Sequence, residues 1–136
     1  MEMVIDANRV IAAALVPGGN TADIIFSNEV RLFAPEFLRE EIEEHKDEFL
    51  AKSGLSAAEF DIVLSVVFSR ISLIPSTEFS DRIDEAERIS PDPDDTEYIA
   101  LALNKRCAIW SEDKALKTQS GVKVISTGEL IRLLSA

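Results

Sequence analysis

At 136 residues and 46% hydrophobic, the chain has the size and composition of one globular domain built on a single core, spanning residues 1–136. Its longest apolar runs, VIAAALV and YIALAL, fall far short of the roughly 18 residues that cross a bilayer, which excludes a membrane-spanning helix. A net charge of −11, from 25 acidic and 14 basic residues, argues against gripping a polyanion by bulk electrostatics.

Strand and helix signals alternate along the chain. The first strand is expected over about Glu2 to Ile5, entered with no basic region or small-residue cleavage site and so with no secretory signal. A helix follows from about Asn8 to Leu15 and stops at Pro17-Gly18-Gly19. Asn20 or Thr21 can cap a short helix over Ala22 to Ser27, and RLFA (Arg31 to Ala34) reads as the second strand. Pro35 suits the first turn of a long helix that runs to about Lys52 and ends near Gly54. Ser56 and Glu59 form a capping box for the next helix, Ala57 to Phe68.

Ile71 to Ile74 is the third strand, and Phe79 to Arg88 reads as a helix. The proline-broken SPDPDD is a turn, after which Asp94 and Glu97 can cap Thr96 to Lys105. Ala108 to Ser111 is the fourth strand, with Trp110 in its buried pattern, and Asp113 to Lys117 a short helical turn. Val122 to Ile125 is the fifth strand, and a final helix, Gly128 to Leu134, opens on a Ser126/Glu129 capping box. The expected architecture is therefore α/β, a three-layer α/β/α arrangement around a mostly parallel sheet of about five strands. The lone Cys107 excludes an internal disulfide, suits a reducing cytoplasm and, in the apolar segment CAIW, reads as a small buried residue rather than a nucleophile.

In parallel sheets, sites form outside the carboxyl ends of the strands, and Asp6 and Asp113 sit at or just beyond two such ends. Asp6 reads either as a helix cap or as an acid facing the crevice; Asn8 can do the capping equally well. In FLREEIEEH, Leu38, Ile42, His45 and Phe49 define an apolar stripe. At roughly 100° per residue, Glu41 lies about 70° from the centre of that stripe, whereas Glu40, Glu44 and Asp47 point away. This puts Glu41 narrowly ahead of Glu40, with Glu48 nearly as close but further from the strand end. His45, the only histidine, reads as a packed or edge residue. In DPDDTEYIALAL, Asp95 shares a face with Ile99, Ala102 and Leu103, and Asp94 falls at the cap; Asp94 remains the rival for the site position. Carboxylates about 4 Å apart repel by roughly 4 kcal/mol at an effective dielectric of 20, so converging acids call for a hard cation such as Mg²⁺.

These four segments, in this order, resemble the PIN-domain family. VIDANRVIAAAL is similar to the family's opening motif, with Asp6 and Asn8 on its metal-binding Asp and companion polar position. PEFLREEIEEH resembles the helix that carries an acid just before an aliphatic residue, at Glu41. DTEYIALAL is similar to the Asp opening an alanine-rich helix, at Asp95, and IWSEDKAL resembles the strand followed by Thr/Ser-x-Asp, giving Ser111 and Asp113. Arg9 departs from the commoner aliphatic residue, and Ser111 replaces the more usual Thr.

The resemblance implies Mg²⁺ or Mn²⁺ dependence, cleavage of single-stranded RNA, a homodimer, and for many members the role of toxin beside an antitoxin protein. On that reading Asp6, Asp95 and Asp113 hold one or two cations, Glu41 completes the set, Asn8, Ser111 and Asp94 support it, and Arg9, Lys105, Arg106, Lys114 and Lys117 are phosphate-contact candidates. Two rivals stand beside it. One is a haloacid-dehalogenase-like phosphatase, which needs a second Asp where this chain has Asn8. The other is a noncatalytic PIN domain that binds RNA or protein. The sequence PGGN lacks any glycine-rich nucleotide-binding pattern.

Overall fold

The computed structural model of the protein describes residues 1–135. Its centre is a sheet of five strands, β1 (Glu2–Ile5), β2 (Arg31–Pro35), β3 (Ile71–Ile74), β4 (Ala108–Trp110) and β5 (Val124–Ile125), in the order β3-β2-β1-β4-β5. Every neighbouring pair is parallel. The strands are short and almost wholly apolar because both faces are covered, the pattern expected of a buried parallel sheet.

The helices are α1 (Ala7–Leu15), α2 (Asn20–Phe26), α3 (Phe37–Glu44), α4 (Lys46–Ser53), α5 (Ala57–Phe68), α6 (Ile83–Ile89), α7 (Thr96–Lys105) and α8 (Thr127–Ser135). Helix α1 packs with α2, α3, α4 and α5, while α7 packs with α6 and lies across β1, β2 and β4. The result is the three-layer α/β/α arrangement. Trp110, Phe60 and Phe79 are the largest wholly buried side chains. The Trp110 indole satisfies its one polar group by donating to Thr127 Oγ1 at 3.0 Å. Among the described residues no helix is long and apolar enough to cross a membrane.

Local chemistry explains most boundaries. Ser56 and Glu59 form the reciprocal capping box that opens α5, and Ser126 with Glu129 does the same for α8. Gly54 ends α4 in the left-handed region, φ 70°, where a side chain would be strained. Several expectations are corrected. Pro35 ends β2 instead of opening a helix: it lies opposite Ile74, past the last register pair with β1, Val4 with Phe33, so its missing N–H leaves no ladder bond unmade on that side. Helix α2 starts at Asn20, after Gly19, with no side-chain cap from Asn20 or Thr21. The segment from Phe79 to Arg88 divides into a 3-10 turn, Ser80–Arg82, and α6. The turn after Asp113 is 3-10, Leu116–Thr118.

The long helix expected from Pro35 to Lys52 is two helices, broken at His45 (φ −108°, ψ 13°). Leu38 and Ile42 are buried as the stripe requires, but His45 is exposed, beside Glu48 at 3.9 Å. Helix α4 buries no residue fully and is tied to α5 by the Lys46–Asp61 ion pair at 2.7 Å.

Candidate metal centre

The strand order places a topological switch between β1 and β4, from which the chain winds outward in both directions. A crevice opens at the carboxyl ends of strands at such a point. Asp6 follows β1 and Ser111 follows β4, so the fold brings their side chains to the same place. The Ser111 hydroxyl donates to Asp6 Oδ2 and accepts from the Asp113 N–H at 3.0 Å. Ser111 is the one polar residue fully buried among the described residues. It links the ends of β1 and β4.

Asp6 is also the N-cap of α1, accepting from the Arg9 N–H at 3.0 Å. The cap role given above to Asn8 thus belongs to Asp6 itself, whose two oxygens serve both the helix and Ser111. Asn8 lies in the first turn of α1 and is exposed. Burial pushes the Asp6 carboxyl above its ordinary range, against the hydrogen bonds from Ser111 and Arg9, and the nearby charge of Asp113 adds to the rise. Asp113 is exposed and accepts from the Ala115 N–H at 2.9 Å, which fixes one oxygen and leaves the other open.

Glu41 is half-buried on α3, whereas Glu40 is exposed. Tyr98 of α7 donates its hydroxyl to Glu41 Oε1. Burial raises the Glu41 carboxyl, opposed by that hydrogen bond, and the charges of Asp94, Asp6 and Asp95 raise it further. Burial first, and then the Glu41 charge, push the Tyr98 phenol upward, so it stays a donor. Asp95 stands at the start of α7 and makes no capping bond there. Its carboxyl is pushed up to about 6 by burial, then by the charges of Asp113, Asp92, Asp6 and Asp94. Asp94 does not cap α7 as expected: it lies in a 3-10 turn, Pro93–Asp95, that leads into the helix and is capped by Asp92, which accepts from the Asp94 N–H at 2.9 Å; Asp94 is exposed beside Glu41 and Asp95.

Asp6, Glu41, Asp95 and Asp113 therefore lie within one mutually repelling electrostatic neighbourhood. Among the described residues none of them is ion-paired with Lys or Arg. Nor do any three His, Cys, Asp or Glu side chains there stand close enough to enclose a metal ion as they lie. The donor set fits a hard divalent cation in its chemistry: carboxylate oxygens only, with burial and mutual repulsion raising Asp6, Glu41 and Asp95, and the charge of Arg9 offsetting this only in part at Asp6. Enclosing one requires the carboxylates to rotate inward.

The basic candidates separate by topology. Lys105 and Arg106 end α7, ten residues and about 15 Å from the acids at its start, so neither can touch a phosphate held there. Lys105 instead lies over the Phe33 ring, 4.9 Å from its centroid, and Arg106 is the left-handed cap of the helix, φ 54°. Lys117 is paired with Glu129, whose carboxyl that contact helps hold at about 2. Lys114 is exposed next to Asp113. Arg9 is half-buried, its Nη1 donating to Thr21 and Thr127 at 3.4 Å each. Tyr98 escaped the reading of the sequence because a tyrosine within an apolar helix reads as core; its spacing of three from Asp95 was the available signal.

The comparisons with known proteins bear on the fold and the family. The chain matches no curated protein sequence. Among solved structures it is similar to the protein PAE2754 from Pyrobaculum aerophilum, at 17% identity and a TM-score of 0.73, with 100% of this chain and 91% of that one covered. It is similar also to a chain of VapBC2 from Rickettsia felis bound to a DNA fragment from their promoter, at 10% identity and a TM-score of 0.65, covering 93% of this chain and 98% of that one. The family profile of the PIN domain matches residues 4–135, which is nearly the whole sequence, and the chain belongs to the PIN-domain family.

Proposed function

We propose that this protein is an endoribonuclease that hydrolyses single-stranded RNA with the help of Mg²⁺ or Mn²⁺. The observation that carries the reading is the electrostatically coupled set of Asp6, Glu41, Asp95 and Asp113 at the switch point, which makes no salt bridge with Lys or Arg among the described residues. When bound, the divalent cation supplies water activation near neutral pH and positive charge for the phosphoryl transition state. Asp6, Asp95 and Asp113 would hold it directly or through water, with Glu41 completing the set. Ser111 and the Arg9 N–H orient Asp6 through one oxygen each, leaving each oxygen a further lone pair for a cation, while Tyr98 anchors one oxygen of Glu41 and leaves the other to be presented. Asn8 stands exposed two residues after Asp6, where its amide can orient a phosphate oxygen or a water.

Family membership sets the phosphatase reading aside, since Asn8 stands where that chemistry needs a second Asp. The Rickettsia felis neighbour, described as VapBC2, supports the narrower reading of a toxin with an antitoxin partner, and the homodimer belongs to the same proposal. Incubation of the purified protein with labelled single-stranded RNA tests the activity. Cleavage is expected with Mg²⁺ or Mn²⁺ and not with EDTA; cleavage that persists undiminished in EDTA would overturn the metal-dependent mechanism.

A further inference from the structure

Beside the acids lies a cavity of about 420 Å³ whose lining includes Asn8, Arg9, Phe49, Lys52, Glu112 and Asp113. It is formed where α4 meets α1, and Asp113 belongs both to its wall and to the acidic set. Its size falls within the range of about 300 to 1,000 Å³ typical of small-ligand sites. In a chain of net charge −11, two cations on the wall of a cavity at the edge of an acidic cluster need a physical reason.

Arg9 supplies one. Its Nη1 is shared between two long hydrogen bonds, and its Nε is buried with no hydrogen-bond partner. Keeping a guanidinium half inside the protein with an unmatched donor is unfavourable unless an anion comes to it. Glu112, on the same wall, feels the Arg9 charge, but its carboxylate takes its hydrogen bond from the Thr127 N–H at 2.6 Å and leaves the Arg9 Nε unmatched. Lys52 is exposed and makes no ion pair among the described residues. Phe49 adds a half-buried aromatic ring set against His45, with ring centroids 6.2 Å apart. Cations that meet a phosphate beside an aromatic surface that meets a base are the two elements of a single-strand nucleotide site.

We propose that this cavity holds one nucleotide of the RNA next to the scissile phosphate, with Arg9 and Lys52 meeting the backbone and Phe49 the base. The proposal rests on the ribonuclease reading and names a substrate-binding subsite for it. Arg9 is thereby retained as a phosphate contact, and Lys52 and Phe49 join it from a helix that the sequence placed in the same rod as Glu41.

The test is the affinity of a fluorescein-labelled single-stranded hexaribonucleotide, read by anisotropy with Ca²⁺ in place of Mg²⁺. Lys52→Ala and Phe49→Leu are each expected to weaken binding roughly tenfold, in line with the loss of one phosphate or stacking contact. Lys46→Ala, which removes the same charge from the same helix but at its Asp61 partner, is expected to change affinity by less than about twofold, as a surface charge outside the contact does. Circular dichroism spectra and Mn²⁺ affinity matching the wild type would tie the losses to the cavity. Equal weakening by Lys52→Ala and Lys46→Ala, no effect of Phe49→Leu, or no binding by the wild type would overturn the subsite. Cleavage in Mn²⁺ with unaltered affinity in both cavity variants would leave the ribonuclease and remove the subsite; cavity-dependent binding without cleavage would do the opposite.

Discussion

Replacing Asp6 with Asn is expected to lower RNA cleavage by about 100- to 1,000-fold, the usual loss for a group that stabilises charge in a transition state, while raising the melting temperature of the metal-free protein. The two effects separate because Asp6 has separable roles. Its capping of α1 needs only a side-chain oxygen for the Arg9 N–H at 3.0 Å, which Asn supplies as well as Asp. The Ser111 hydroxyl has two lone pairs and can accept from the new amide as well as from the Asp113 N–H. What disappears is a buried negative charge whose ionised form burial already disfavours. Asp113→Asn is expected to lose activity to the same degree, since its oxygen still accepts from the Ala115 N–H. Initial rates on labelled RNA with Mn²⁺ and thermal unfolding in EDTA check both halves. A double variant that still cleaves at the wild-type rate would remove these acids from the chemistry.

Thermal stability of the metal-free protein is expected to fall as pH rises from about 5 to 7.5. The Asp95 carboxyl is pushed up to about 6, and those of Asp6 and Glu41 are raised also. A carboxyl with a higher pKa folded than unfolded binds its proton more tightly in the native state. Its contribution is therefore complete below the unfolded value near 4 and is lost as pH climbs through the folded value. Self-repulsion at a net charge of −11 acts in the same direction. Carboxylates held low, such as Glu129 at about 2 and the lowered Glu59, act only at more acidic pH, so they do not mask the slope. Adding Mn²⁺ at pH 7.5 is expected to restore the lost stability, because the cation and the protons compete for the same oxygens. Asp95→Asn is expected to flatten the slope. Scanning calorimetry in EDTA reads it, and a melting temperature independent of pH over this range would contradict the electrostatic picture of the site.

The sequence carried the fold because its parallel strands are short apolar runs bounded by capping motifs, and Ser56/Glu59 and Ser126/Glu129 work where they are written. It was less able to show where a helix bends. The stripe through Leu38, Ile42, His45 and Phe49 assumed one rod, and the chain leaves helical geometry at His45. Glu41 still comes out beside Tyr98 because it precedes the break, while Phe49 and Lys52, after it, go to the cavity against α1. Capping was ambiguous for a physical reason: Asp6, Asn8, Asp92 and Asp94 all have side chains that can accept a helix N–H, and only the backbone path decides which does. Topology separates Lys105 and Arg106 from the acids. Residues that precede a strand lie at the edge of a parallel sheet opposite those that follow one, and these two precede β4.

The central claim is that Asp6, Glu41, Asp95 and Asp113 together bind a hard divalent cation. Titration of the protein with Mn²⁺, following the electron paramagnetic resonance signal of the free ion, tests it without relying on any substrate. Saturable binding that Mg²⁺ displaces, and that is lost in the Asp6→Asn/Asp113→Asn variant, is the predicted result. Failure of the wild type to bind, or equal binding by that variant, would contradict it.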